Sequence, residues 1–232
     1  MVKGLLFDLD GVVIDSESYN DKACADLLAE FNEGYDRDFL KPRMVGKSDI
    51  EGMNLLVEHH KLPISGEEFD IRRKENKKRF YEKEIPYMQG FESFFEKLKS
   101  HFNCPVAIVT ACNKEYFDLI DLRLKISDKF NHNIFRSEMV KKHKPAPDVY
   151  LYAGEKLNID CKDCLVFEDA PAGIVSGIRA GSKVIALTTT FSKETIINTI
   201  KEIDETINVD EILFIDKFED NSLKEVINFS EN

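Results

Sequence analysis

No run of apolar residues in the 232-residue chain approaches the roughly 18 needed to span a bilayer. The opening Met1-Val2-Lys3-Gly4 leads into an apolar stretch that Asp8 soon interrupts. The uninterrupted core of a signal peptide is therefore missing, and the chain is expected not to be secreted. Cationic charge is also in deficit, with 32 Lys and Arg against 43 Asp and Glu and a net charge of −11. That balance argues against broad binding to nucleic acid or to an anionic membrane. Neither G-x-x-x-x-G-K-[ST] nor G-x-G-x-x-G occurs, so neither nucleotide motif provides a phosphate cradle. Internal repeats and low-complexity segments are absent too. The cysteines Cys24, Cys104, Cys112, Cys161 and Cys164 are odd in number and irregular in spacing. They read as reduced thiols of a cytoplasmic protein. Cys161 and Cys164 match C-x-x-C, but no second pair or His cluster accompanies them, so no redox or zinc role is expected.

What the chain does have begins at KGLLFDLDGVVIDSE, residues 3–17. Gly4-Leu5-Leu6-Phe7 is too short for a globular helix and suits a buried strand. Side chains alternate along a strand, so Asp8 and Asp10 at its end point the same way. Gly11 allows the sharp backbone departure that follows. Two clustered anions repel, which implies a cation between them or a raised pKa on one. The pair suggests a Mg2+ site.

After Asp15 the apolar period becomes helical, at Ala23, Leu27, Leu28 and Phe31 and again at Ile50, Met53 and Val57. Gly34, Pro42 and Gly46 punctuate turns between them. A third helical stretch carries RRKENKKR, Arg72 to Arg79, read as a solvated face; the alternative is that one or two of its cations face a phosphorylated ligand. Asp15 and Ser16 are expected to cap the first of these helices. From Gly90 onward strands alternate with helices. Val106 to Val109, Ile134-Phe135, Leu165 to Phe167, Val184 to Leu187 and Ile212 to Ile215 are the expected strands. Pro171 opens one helix and Gly181 closes it. Such alternation means a mostly parallel sheet covered on both faces. The organisation expected is an α/β sheet domain, residues 1–15 and 86–232, interrupted after its first strand by a helical insert, 16–85. An insert rooted beside the acidic pair would sit over it as a lid.

Ligands of open parallel sheets bind outside the carboxyl ends of the strands. Asp8 and Asp10 follow the first strand. Thr110 ends the second, with Ala111, Cys112 and Asn113 leading into a helix. Glu168 and Asp169 end the fourth, and Lys144 precedes Pro145-Ala146-Pro147 at a helix start. Carboxylates from two strand ends can hold Mg2+. Lys144, Thr110 and the backbone N–H groups after it can bind a phosphate. One aspartate can form an acyl phosphate, and a second carboxylate can move protons. Any one of these residues alone has a simpler reading: a Thr as helix cap, a Lys in solvent, an acidic pair at a helix N-terminus.

Asp8-Leu9-Asp10-Gly11-Val12, the Thr110 strand end, Lys144-Pro145-Ala146-Pro147-Asp148 and Phe167-Glu168-Asp169-Ala170-Pro171-Ala172-Gly173 together resemble the four motifs of the haloacid dehalogenase superfamily. They occur in that family's order and span nearly the whole chain. The resemblance is closest to the phosphatase and beta-phosphoglucomutase-like branch, with a class I cap. It implies a Rossmann-like, doubly wound parallel sheet with an inserted helical cap. It further implies that Asp8 is the nucleophile and a Mg2+ ligand, and that Asp10 is the general acid/base with its backbone carbonyl on the metal. Thr110, Ala111 and Lys144 would bind the phosphoryl group, and Asp169 with Glu168 would complete the Mg2+ site. Val45-Gly46-Lys47-Ser48 resembles the cap loop that reaches toward substrate.

The expected reaction is Mg2+-dependent hydrolysis of a small phosphorylated metabolite, such as a sugar phosphate, by a chain acting as a monomer. A beta-phosphoglucomutase-type mutase is the alternative on the same scaffold. The mutase pattern has a histidine in the first cap helix and an arginine after the cap-loop serine, where this chain has Asn20 and Asp49. A mutase needs cationic cap contacts for a distal phosphate. Gly46, Lys47 and Asn20 remain the candidate substrate contacts, and Arg43 could add charge. A non-enzymatic receiver module, which also combines clustered aspartates with Mg2+, Thr and Lys, is roughly half this length and has no helical insert.

Overall fold

The computed structural model describes residues 1–45 and 48–231. In chain order, β1 (Gly4–Phe7) precedes four helices, α1 (Ser16–Ala29), α2 (Arg37–Met44), α3 (Asp49–His60) and α4 (Gly66–Tyr81). Then come α5 (Phe91–Phe102), β2 (Val106–Thr110), α6 (Lys114–Leu124), α7 (Ile126–Lys129), β3 (Ile134–Arg136) and α8 (Asp148–Leu157). The chain continues through β4 (Cys164–Glu168), α9 (Pro171–Arg179), β5 (Lys183–Leu187), α10 (Lys193–Ile203), β6 (Leu213–Ile215) and α11 (Asp220–Glu231). Two compact units result, residues 1–15 with 86–232 and residues 16–85. Among the described residues no helix is long and apolar enough to cross a membrane.

The first unit is α/β, Rossmann-like and doubly wound. Its strands run in the order β3-β2-β1-β4-β5-β6, and every pairing is parallel. Parallel strands covered on both faces read as continuous apolar runs, and β1, β2 and β4 are buried at every position. Alternate residues feed opposite faces. Leu6 packs with Val109, Val166, Tyr150 and Ile174 on one side. Phe7 on the other side stacks on its register partner Phe167, with ring centroids 4.5 Å apart. It meets Phe91, Phe95 and Phe130 edge-on. The helix stripe Phe91, Phe94, Phe95 and Leu98 is what covers that face, because residues three and four apart share one side of a helix.

The strand order reverses beside β1: β2 and β3 extend the sheet one way, and β4 starts the other half. Such a switch point opens a crevice at the carboxyl ends of the two central strands. Asp8 leaves β1 there, and Glu168 with Asp169 leaves β4.

The helical unit is built around Cys24, Leu27, Leu28, Leu40, Met53, Leu56 and Phe69. Ser48 and Glu51 form a reciprocal capping box at the start of α3, and the Ser65 side chain caps α4. Ser16 is the first residue of α1 rather than its cap; its hydroxyl is buried without a hydrogen-bond partner. The basic run is largely the solvated face expected, with Lys74, Lys78 and Arg79 exposed, and Arg73 is the exception. Arg73 is buried, because Asp70 and the Asn20 side chain accept its N–H groups and Asp49 lies 3.5 Å away. Lys74 pairs with Asp49 and Asp70, and Arg72 with Glu30. A charge enters an interior only with such partners: Asp70 lies three residues back on the same helix, while Asp49 and Asn20 arrive from other helices and were invisible in the run itself.

Candidate active site

Asp8 is the first residue past β1, and its N–H donates to Phe167 O at 2.9 Å, which extends the β1–β4 ladder to the edge of the sheet. The chain then turns back on itself: Gly11 N–H donates to Ile14 O, and Ile14 N–H donates to Leu9 O. Gly11 has φ +71, and a Cβ there would lie 2.0 Å from Asp169 Oδ2, so glycine is required both by conformation and by space.

Three carboxylates meet at the crevice. One oxygen each from Asp8, Glu168 and Asp169 lies within 4.8 Å of the others, and the residues are 8%, 1% and 5% exposed. The half-buried Asp10 carboxylate is not in that group. Lys144 is the counterion. Its ammonium donates to Asp8 Oδ1 at 2.7 Å, Glu168 Oε1 at 2.6 Å and Val109 O at 2.9 Å, which uses all three of its protons. The loop that presents it is fastened by α9, where Ser176 donates to Ala146 O and Arg179 to Pro145 O. Since α9 follows directly from Glu168 and Asp169, one helix sets both the acids and their cation.

Burial pushes the Asp8 carboxyl up to about 8; Lys144 pulls it down, while Glu168 and Asp10 add to the rise. Burial works against the Lys144 charge as well, but Asp8 and Glu168 outweigh it and hold the ammonium above its ordinary value. Three carboxyl groups share one ammonium, and burial disfavours the Asp8 charge, which a further cation would offset. A compact set of hard oxygen donors of this kind fits a divalent cation such as Mg2+ or Ca2+.

Thr110 is buried at the end of β2, and its hydroxyl accepts the Cys112 N–H at 2.9 Å. It does not cap the following helix. Asn113 does, by accepting from Tyr116 N–H, while Ala111 lies exposed between them. In the helical unit, Asn20 accepts from Arg73 and donates to Glu17 Oε1, so both ends of its amide are engaged there. Arg43 donates to Phe39 O and lies over the Phe39 ring. Gly46 and Lys47 fall outside the described residues.

Three side chains at the site were not picked out from sequence. Tyr150 is buried on α8, and its hydroxyl donates to Glu168 Oε1 at 2.7 Å. Thr190 donates to Asp169 Oδ2, and Thr189 to Gly11 O at 2.9 Å. The threonines carried a usable signal: Thr188-Thr189-Thr190 directly follows β5, the kind of position that marked the other strand ends. Tyr150 carried little, since a tyrosine beside Val149 on a helix reads as packing.

Residues 5–187 match the family model described as haloacid dehalogenase-like hydrolase. The chain belongs to that family. Within it the chain falls in the phosphatase and beta-phosphoglucomutase-like branch, and it is an enzyme of the phosphoric monoester hydrolase class. An Arabidopsis thaliana (DL)-glycerol-3-phosphatase is 30% identical over 188 residues, which cover 78% of this chain and 77% of the relative. A Thermotoga maritima phosphorylated carbohydrates phosphatase is 29% identical over 181 residues, 78% of this chain and 82% of that one. Among solved structures, a Clostridium difficile beta-phosphoglucomutase superposes with a TM-score of 0.66 at 22% identity, covering 100% of this chain and 98% of the other. At that identity the likeness speaks for the haloacid dehalogenase-like fold alone.

Proposed function

We propose that the chain is a Mg2+-dependent phosphatase of a small phosphorylated polyol or carbohydrate, working through an aspartyl phosphate on Asp8. The observation that carries this is the buried group of Asp8, Glu168 and Asp169 closed by Lys144 at the switch point of the sheet. Asp8 attacks phosphorus: a bond forms from its carboxylate oxygen to phosphorus, and the ester P–O bond breaks. Asp10 gives its proton to the departing alkoxide and then takes one from the water that attacks the acyl phosphate. That second displacement frees orthophosphate and returns Asp8. Lys144, Thr110 and the Ala111 backbone bind the phosphoryl oxygens, with Lys144 countering the charge that moves between them. Mg2+ held by Asp8, Glu168 and Asp169, and by the Asp10 backbone carbonyl, would neutralise the phosphoryl oxygens and orient them.

The helical unit is proposed as the cap that selects the substrate, with Asn20, Gly46 and Lys47 as its contacts. The activities of the glycerol-phosphate and carbohydrate-phosphate relatives support the substrate class. The mutase reading is weaker. Asp49 stands where a cation for a second phosphate is needed, and it is itself ion-paired with Lys74 at 2.9 Å. Five free cysteines support a cytoplasmic place for the enzyme.

The test is orthophosphate release from a panel of glycerol, pentose and hexose phosphates, ranked by kcat/KM. Release is expected with Mg2+, is abolished by a chelator and returns when Mg2+ is restored. No release from any member would overturn the reading. Conversion of a hexose 1-phosphate to its 6-phosphate with little free phosphate would make the chain a mutase instead.

A further inference from the structure

The reaction just described leaves the segment after β5 without a task, yet two of its side chains reach the site. The segment is held at both ends. Thr188 N–H donates to Ile215 O at 2.9 Å, and Ser192 caps α10 by accepting from Thr195 N–H. Between these anchors Thr189 donates to the carbonyl of Gly11, in the turn that follows Asp8 and Asp10. Thr190 donates to Asp169 Oδ2. The fit is close: a Cβ on Gly11 would lie 2.0 Å from Asp169 Oδ2 and 2.8 Å from Thr190 Oγ1. Two neighbouring hydroxyls thus clasp the β1 turn and the β4 turn, which together supply the three clustered carboxylates.

A short carboxylate side chain at a turn has rotamer freedom unless something fixes it. A hydrogen bond from a rigid neighbour to one oxygen removes that freedom and sets where the carboxylate faces. We propose that Thr190 is a positioning residue for divalent cation binding: its hydroxyl holds the Asp169 carboxylate toward Asp8 and Glu168, and Thr189 fastens the segment to the Gly11 turn. The proposal rests on the reading that these carboxylates hold Mg2+.

The experiment titrates the full chain with Mg2+ alone by calorimetry, for wild type, Thr190→Val, Thr190→Ala and Thr190→Ser. Loss of the hydroxyl is expected to weaken Mg2+ about 10–100-fold, the range found for residues that orient metal ligands. Thr190→Ser keeps the donor and is expected to stay within about 3-fold of wild type, which a purely packing role for the threonine would not produce. In turnover, the Mg2+ concentration for half-maximal rate should rise by the same factor, exceeding any change in kcat. Thr190→Ala serves where Thr190→Val does not fold. Wild-type Mg2+ affinity in a folded hydroxyl-free variant, or weakening in Thr190→Ser equal to that in Thr190→Val, would overturn the role of Thr190 and leave the phosphatase reading standing. A wild-type chain that neither binds Mg2+ nor releases phosphate would overturn both.

Discussion

Asp8→Asn lowers phosphomonoester turnover by on the order of ten-thousand-fold or more, the scale on which enzymes lose rate when a covalent nucleophile is removed. The amide is nearly isosteric with the carboxylate but has no lone pair able to form the acyl phosphate. The fold should tolerate it. Asp8 is placed by its backbone bond to Phe167, which the substitution leaves intact. Burial already disfavours the Asp8 charge, raising its carboxyl to about 8, so the interior loses little when the charge goes. Lys144 retains Glu168 as its partner at 2.6 Å. Steady-state rates with Mg2+, beside a thermal unfolding curve for the same sample, check both halves. Near-wild-type turnover would place the nucleophile elsewhere.

Lys144→Met acts on stability as well as on rate. Methionine keeps the aliphatic stem and removes the ammonium that Asp8, Glu168 and Val109 O all accept from. Removing one partner of a buried ion pair costs about 3–5 kcal/mol, because the other charge stays behind unpaired. The cost depends on pH in a definite direction. In the folded chain Asp8 keeps its proton up to about 8, whereas in the unfolded chain it releases it near its ordinary value of 3.8. Across that window the folded state binds more protons, so metal-free stability falls as pH rises. Lys144 itself adds no slope there. Its raised pKa makes a contribution that is complete below the unfolded lysine value and is lost only at still higher pH. Without the ammonium the Asp8 charge is harder to form, so the deficit in Lys144→Met should be level from pH 4 to about 7 and widen as pH rises through about 8, where wild-type Asp8 ionises. Urea unfolding of both proteins in chelator, at several pH values, measures this. A deficit that grew on acidification would contradict the charge arrangement.

The parts of the fold legible in the sequence were those where burial leaves a pattern. β1, β2 and β4 are apolar up to their carboxyl ends, where Asp8 follows β1 and Thr110 and Glu168 close β2 and β4. Their order, with helices between, implies a parallel sheet, whose ligands bind at its carboxyl end. Other features depend on partners that arrive from elsewhere in the chain. Arg73 looks like any other cation in RRKENKKR until Asn20 and Asp49 join Asp70 of its own helix around it. Ser16 departs from its expected capping role for a local reason: serine is a competent cap, and only the backbone path decides that Ser16 is already helical. Thr190 and Tyr150 belong to no motif. Their importance comes from the register of β5 beside β4 and from the packing of α8, which brings single hydroxyls onto Asp169 and Glu168.

The most direct measurement is to quench the wild-type enzyme in acid during turnover of a phosphomonoester and map the phosphoryl group by mass spectrometry. The expected result is one acid-stable, base-labile phosphoryl group on the peptide that carries Asp8, absent from the Asp8→Asn protein. Turnover with no phosphoryl group on that peptide, or with the group on another residue, would contradict an aspartyl phosphate at Asp8.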